Sequence, residues 1–272
     1  MPTLYVVATS IGNLEDITLR AMRVLKEVSL IAAEDTRHTL KLLNACGIKT
    51  PQTSYYEHNK LSKLDYILEK LEQGDVALVS DAGTPGIADP GAELIAEAIA
   101  RGFRVEAVPG PSAVMAALAV SGLPTAEFRF MAFLPRKISE RRSALERLAA
   151  EAATLVFLEA PHRVRATLAA MAAALGDRRV AVCRELTKLH EEVYRGSLAA
   201  ALVHFAEPRG EFVLVVEGAK TVEAAPVLDD DVRSELRRLK KQGIAAKEAT
   251  AQLAAATGLS RRELYAAWLK LG

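Results

Sequence analysis

"VALVSDAGTPGIADPGAELIAEAIA", residues 76–100, sets a strand-like apolar run, a glycine- and proline-rich loop and a helix-like segment in direct succession. The loop at 81–91 holds three glycines and two prolines, with aspartates at Asp81 and Asp89. A strand-to-helix connection usually needs only about 2–6 residues. Glycine lets a ligand approach the backbone closely, whereas proline fixes φ and removes an N–H donor. Together they make a stiff wall of bare backbone. Asp89 followed by Pro90 has the form of an N-cap and first-turn proline for the next helix. That leaves "AGTPGIA" with no role in turning the chain. In an open parallel sheet, ligands bind beyond the carboxyl ends of the strands, and this loop begins at such an end. It reads as a ligand site.

The same alternation extends in both directions. "LYVVAT" (4–9), "LIAAED" (30–35) and "RVEAVP" (104–109) read as strands, and helical patterns cover 19–28, 37–47, 64–74, 91–102 and 111–122. Continuous apolar strands between amphipathic helices predict a parallel sheet covered on both faces. "LPTAEFRFMAFLPRK" (123–137) breaks the rhythm with prolines and aromatics, and reads as a crossing into a second domain. There 154–160, 179–186, 191–197 and 210–218 look like strands, and tight spacing near 186–197 predicts an antiparallel pair. The expected organisation is therefore two α/β domains, 1–123 and 124–226, with a linker "EAAPVLDDD" leading into a helical module at 227–272.

Three further stretches sit at strand ends. "VPGPSAV" (108–114) places Pro111 and Ser112 at a helix start, and "TSIGNLEDIT" (9–18) follows the first strand. "AAEDTRHT" (32–39) brings Glu34, Asp35, Arg37 and His38 together; it serves either a general base with its orienting partner or a clamp on a polar substrate, or else simple helix capping by Asp35 or Thr36 with Arg37 solvated. "LEAPHRV" (158–164) offers Glu159, His162 and Arg163. Neither G-x-G-x-x-G, a phosphate-binding G-x-x-x-x-G-K-[ST] nor G-x-S-x-G occurs, and no His, Cys or carboxylate spacing suggests a metal site.

Composition narrows the class. The chain has 272 residues, 50% apolar, 25% charged, with a net charge of +1, so it carries no overall basic bias toward nucleic acid. Cys46 and Cys183 stand far apart and fit a reducing cytosol. No segment approaches the roughly 20 apolar residues of a membrane helix, and the expected location is cytoplasmic. Charge is distributed unevenly, however. From Val232 onward, Arg233, Arg237, Arg238, Lys240, Lys241, Lys247, Arg261, Arg262 and Lys270 outnumber Glu235, Glu248 and Glu263. A basic helical module is the electrostatic footprint expected for phosphate contact; a dimer-stabilising or merely solvated helical pair is the plainer alternative. Lys60, Lys63, Arg136, Lys137, Arg141 and Arg142 would extend such a surface.

"LYVVATSIGNLEDIT", "AAEDTRHT", "LVSDAGTPGIADPG", "VPGPSAVMAALAVSGLP" and "EAPHR" resemble, in order and spacing, the bacterial 16S rRNA cytidine 2′-O-methyltransferases of the tetrapyrrole (corrin/porphyrin) methylase superfamily. One departure is Ser10, where that family usually has proline. The resemblance implies two α/β domains with S-adenosylmethionine between them and a homodimer. It implies methylation of a cytidine ribose in the decoding region of the small ribosomal subunit. Cofactor contacts are expected from Asp81, Gly83, Thr84, Pro85, Gly86, Ile87, Ala88, Asp89, Ser112, Ala113 and Glu159. Substrate contacts are expected from Asn13, Arg37, His162 and Arg163, with Arg237, Arg238, Lys240, Lys241, Arg261 and Arg262 on the basic module. Asp35, Glu34 and Asp81 are the candidates for the base that takes the hydroxyl proton. Two rivals stand beside this reading: a tetrapyrrole C-methyltransferase of the same fold, and a cofactor-binding RNA-docking protein without catalysis.

Overall fold

The computed structural model describes residues 2–57, 59–220 and 228–271, and the side chain of Lys60 lies outside that description. Most of the linker expected at 223–231 falls outside it as well. The described chain forms two compact units, one ending at Ala219 and one beginning at Lys220.

The first unit opens with strand β1 (Thr3–Val7), α1 (Leu19–Glu27), β2 (Leu30–Ala33), α2 (Thr36–Ala45) and β3 (Gln52–Ser54). It continues with α3 (Lys60–Gln73), β4 (Val76–Val79), α4 (Ala92–Ala100), β5 (Arg104–Val108) and α5 (Ala113–Ser121). The five strands form a parallel sheet in the order β3-β2-β4-β1-β5. Alternation along the strands sends Val7, Ile31, Ala33, Ala77 and Val79 to one face against α1. Leu4, Leu30, Ala32, Val76 and Leu78 go to the other, against α3 and α4. Apolar residues at consecutive positions are thus needed, because both faces are buried. The short β3, all of whose residues are half-buried, lacks that apolar signal and was not anticipated.

A second sheet follows, built from β6 (Phe128–Phe133), β7 (Thr154–Glu159), β8 (Arg179–Arg184), β9 (Glu192–Ser197) and β10 (Phe212–Val216). Its order is β6-β7-β10-β8-β9, with β6 parallel to β7 and every other pair antiparallel. The segment read as a crossing is therefore partly the edge strand β6. Leu155, Phe157, Val182 and Leu214 face α6 (Ile138–Arg147), α7 (Pro161–Leu175) and α8 (Leu198–His204). Burying a large apolar side chain of this kind is worth about 1.5–3 kcal/mol. The opposite face, with Val156, Ala181, Cys183 and Val215, packs on Ala117 and Leu118 of α5 and on Ile11. The last helix of the first sheet's run thus covers the second sheet, and the two sheets share a core.

The second unit contains α9 (Asp230–Lys241), α10 (Ala246–Thr257) and α11 (Arg261–Lys270) around Leu236, Leu239, Leu253, Leu264 and Trp268. Asp229 caps α9 through the Val232 N–H at 2.9 Å, and Ser260 and Glu263 form a reciprocal capping box on α11. Among the described residues no helix is long and apolar enough to cross a membrane.

Candidate functional site

The carboxyl ends of β2, β4, β5 and β7 lead to one cavity of about 610 Å³. Its lining includes Glu34 after β2, Asp81, Ala82, Gly83, Thr84, Ile87 and Asp89 after β4, Ser112 to Met115 at the start of α5, and Glu159 to Pro161 after β7. The volume lies in the usual range for small-molecule sites. Five lining residues carry carboxylates, namely Glu34, Asp81, Asp89, Glu159 and Glu211, and among the described residues no Lys, Arg or His side chain lines it.

The long loop owes its composition to backbone geometry. Gly83, Gly86 and Gly91 have φ of +76°, +78° and +144°, and Ala88 joins them at +67°. A Cβ on Gly91 would come 2.9 Å from a Leu78 methyl and 3.2 Å from the Gly86 nitrogen, so the loop folds back on itself. Glycine is required for that approach. Gly83 also forms a bridge with Thr9, each N–H donating to the other's carbonyl. The Gly83 amide thus serves the first loop. Helix α4 begins at Ala92 with Gly91 as its cap residue and no side-chain cap. Asp89 is consequently not the N-cap that its position before Pro90 suggests; it lines the cavity.

The carboxylates differ in state. Burial is the main cause that raises the Asp89 carboxyl to about 6, with the Glu34 and Asp81 charges adding, while a Ser80 hydrogen bond opposes. Glu34 is also raised, chiefly by burial and further by Asp81 and Asp35, although the Asp81 N–H donates to its Oε2 at 3.3 Å. Asp35 behaves oppositely. Its oxygens accept from the Arg37 backbone N–H at 2.8 Å and from the guanidinium at 3.1 and 2.7 Å, which holds its carboxyl far below the usual range. Asp35 is the N-cap of α2 and does not line the cavity. Capping, one of the two readings left open for this motif, accounts for Asp35 and Arg37.

Glu159 lines the cavity yet is 3% exposed, and its oxygens are taken internally. It accepts from the Ala160 N–H at 3.0 Å and from the Thr167 hydroxyl at 2.6 Å, and pairs with Arg163 at 3.2 Å. Arg163 also donates to the Leu134 carbonyl at 2.6 Å. The pair staples α7 to the β6–α6 turn, and Arg163, expected at the substrate, is engaged there and does not line the cavity. His162 is exposed and does not line the cavity. Asn13 caps the 3-10 turn Leu14–Asp16 by accepting from the Glu15 N–H, and its own N–H donates to Thr187 Oγ1 at 3.1 Å. Pro85, Gly86 and Ala88 shape the loop and do not line the cavity, whereas Gly83, Thr84, Ile87, Ser112 and Ala113 do.

Several lining residues were not anticipated, above all Phe128, Phe130 and Phe133 on β6. The signal was present, since "FRFMAF" alternates aromatics as a strand does. Cys183 lines the cavity too, with its thiol pushed by burial to about 11, which makes it an unreactive wall residue.

On the helical unit, Arg237, Lys241, Arg261 and Arg262 are exposed. Lys240 is not available for contact: its ammonium donates to the Leu271 carbonyl and lies 5.6 Å over the Trp268 ring. Arg238 pairs with Glu235. Arg141, expected on a basic surface, is 8% exposed.

S-adenosylmethionine suits such a cavity, because it joins a sulfonium and an ammonium to an aromatic base. Glu159 and Glu211 are already paired with Arg163 and Lys188, but the carboxylates of Glu34, Asp81 and Asp89 favour the charges, and the apolar walls favour the base.

The pattern of the Tetrapyrrole (Corrin/Porphyrin) Methylases matches residues 3–202. Ribosomal RNA small subunit methyltransferase I of Synechocystis sp. is 48% identical over 275 residues, covering 100% of this chain and 99% of that protein. The Bacillus subtilis protein of the same name is 43% identical, covering 98% and 94%. The one from Thermotoga maritima is 48% identical over 221 residues, which is 99% of that protein but 80% of this chain. Among solved structures, uroporphyrin III C-methyl transferase from Thermus thermophilus is similar in fold, with a TM-score of 0.58 at 20% identity, covering 79% of this chain and 97% of that one. The methyltransferase CobJ gives 0.62 at 19% identity, covering 80% and 95%. The chain therefore belongs to the tetrapyrrole methylase family, in the group of the ribosomal RNA small subunit methyltransferase I proteins, and is a methyltransferase whose cofactor is S-adenosylmethionine.

Proposed function

We propose that the protein methylates the ribose 2′-hydroxyl of a cytidine in 16S ribosomal RNA, in the decoding region of the small subunit. The carrying observation is the cavity's charge: five carboxylates and, among the described residues, no basic side chain. That environment attracts a cationic methyl donor and repels anionic groups placed inside it. A uroporphyrin carries its carboxylate arms on the ring that would have to enter. A nucleotide can instead insert its base and ribose with the phosphates left at the mouth, which favours the reading suggested by the relatives' names over the tetrapyrrole rival.

When bound, the cofactor supplies an already activated methyl group. The protein's task is then alignment, worth roughly 7–11 kcal/mol, together with exclusion of water and removal of the hydroxyl proton. Residues 81–89 would hold the methionine portion, with Asp89 and Asp81 facing its positive charges. The first N–H groups of α5, at Ala113 and Val114, lack helical partners by position and would receive its carboxylate. Glu34, half-buried and with a raised pKa, is the best-placed base among the three candidates. The exposed cations of the helical unit would meet the RNA backbone. We assign the domain limits at 123/124 and 226/227 and the homodimer to the same reading.

The test is methyl incorporation from labelled cofactor into assembled 30S subunits, free 16S RNA and a uroporphyrin, each supplied separately. Label in the RNA at a cytidine 2′-oxygen is expected. Label in the tetrapyrrole alone overturns the proposal, and label in neither favours the non-catalytic docking protein.

A further inference from the structure

One wall of the cavity is aromatic, and it depends on an irregularity in β6. Phe128, Arg129 and Phe130 lie opposite Thr154, Leu155 and Val156 of β7 in regular parallel register. The register then shifts, and Phe133 stands opposite Leu158. In an unbroken strand, residues 128, 130 and 132 would share a face and residue 133 would point the other way. One extra residue, with Ala132 at φ +52°, places Phe133 on the face of Phe128 and Phe130 instead. Bulges beside functional sites re-aim side chains in this manner. All three rings line the cavity. Two of them stand clear of the core, Phe128 at 40% exposed and Phe133 at 52%, while Phe130 is half-buried at the core's edge and Phe157 is fully buried. Exposed rings clustered at a cavity mark a binding surface.

We infer that Phe128, Phe130 and Phe133 form the stacking platform for the nucleobase of the nucleotide being methylated, an inference that rests on the ribosomal RNA reading above. Proteins read unpaired RNA by splaying bases onto aromatic side chains. A base needs a flat apolar surface and no charge, which this wall offers. Among the described residues the cavity has no basic side chain to receive a phosphodiester, so the phosphates stay at its mouth while the base and its ribose insert. Arg136, in the turn between β6 and α6, is exposed and has no ion pair among the described residues. It lies three residues beyond Phe133, available to a backbone running past the platform.

The experiment uses the full-length protein with Phe128→Ala, Phe133→Ala, Phe133→Leu and Phe133→Trp. Cofactor affinity is read by calorimetry, KM and kcat on 30S subunits by label transfer, and mass by sedimentation. Each alanine is expected to raise KM for RNA at least about fivefold, with cofactor affinity changed less than twofold. Leucine should fail to restore KM, and tryptophan should restore it. Weakened cofactor binding in the alanine variants would mean that the rings hold the cofactor, and would overturn the inference. A changed mass would assign the rings to contact between copies, with the same consequence. An unchanged KM would sink the platform alone, whereas a wild-type protein that binds cofactor and labels no RNA would sink the reading beneath it.

Discussion

Thr9 and Gly83 exchange two backbone hydrogen bonds, Thr9 N–H to the Gly83 carbonyl at 2.9 Å and Gly83 N–H to the Thr9 carbonyl at 3.2 Å. This bridge ties the loop after β1 to the loop after β4, its neighbour in the sheet, and Gly83 lines the cavity. Gly83 sits at φ +76°, where a side chain costs about 1–3 kcal/mol. A Cβ there would meet Ile11 at 3.6 Å and the Pro111 carbonyl at 3.8 Å, so conformational strain, not collision, is the penalty. Gly83→Val is expected to weaken cofactor binding at least tenfold while the chain stays folded. Gly47→Ala, at φ +65° with open space around it, imposes similar strain away from the cavity. Its cofactor affinity should match wild type. Calorimetry with far-UV circular dichroism on both variants separates site distortion from general destabilisation, and equal losses in the two would refute the assignment.

Asp89 links the cavity to pH. Its carboxyl titrates near 6 in the folded protein, above an ordinary 3.8. A raised folded pKa means that its contribution to stability is fully present below the unfolded value and is lost as pH rises through about 6. Asp89→Asn should therefore stabilise the empty protein at pH 7–8, by about 1 kcal/mol after allowance for solvent screening. The gain should vanish near pH 4. Cofactor affinity runs the other way, because a cation prefers the ionised carboxylate. It should fall as pH drops through 6 in the wild type and stay flatter in Asp89→Asn. Thermal melts and calorimetric titrations across pH 5–8 read both effects.

Much of this site was legible because its chemistry is local. The glycines and prolines of 81–91 demand unusual backbone geometry wherever the loop lies, and strand ends follow from the apolar runs. Partnership across the fold was not legible. Asp89 before Pro90 has the local form of a cap, yet the chain turns back at Gly91 and the helix starts later. Asp35 and Arg163 carry site-like residue types, but one is held by a neighbour two residues away and the other staples α7. The aromatic wall stayed hidden because proline on both sides of β6 made the segment look like a linker. Its bulge depends on pairing with β7, which no local pattern reveals.

Glu34 and Asp35 are adjacent in sequence and opposite in chemistry. Glu34 lines the cavity with a raised pKa, while Asp35 is locked to Arg37 and to the start of α2. If Glu34 removes the hydroxyl proton, Glu34→Gln should lower kcat about 100-fold or more. The wild-type rate should fall as pH drops through the raised Glu34 pKa, and the variant should lose that dependence. Asp35→Ala should lower the melting temperature slightly through the lost cap and leave kcat nearly unchanged. The reverse pattern would move the base to Asp35.

The Glu159–Arg163 pair predicts a stability defect where the motif suggested an RNA contact. Arg163→Ala leaves a carboxylate that is 3% exposed without its cation, although the Thr167 hydroxyl and the Ala160 N–H remain. Breaking a buried pair from one side typically costs 3–5 kcal/mol, and the two remaining donors place the expected loss at about 3. Denaturant melts should show it, and KM for RNA in the folded fraction should be unchanged. His162→Ala, at an exposed site, should change neither stability nor KM.

The Thermotoga relative shares the name and 48% identity while matching only 80% of this chain. A fifth of the chain thus has no counterpart in a protein named for the same activity, and the basic helical unit is the segment of matching size. If that unit serves docking and not chemistry, Arg261→Glu with Arg262→Glu should raise KM for 30S subunits severalfold at low salt with kcat unchanged. The effect should shrink as salt rises, because each cation lost removes about one unit from the salt slope. Lys240→Ala should behave differently, melting the unit through its lost contacts to Leu271 and Trp268 before affecting KM. A double charge reversal that lowers kcat at saturating substrate would place these arginines in the chemistry and overturn the docking role.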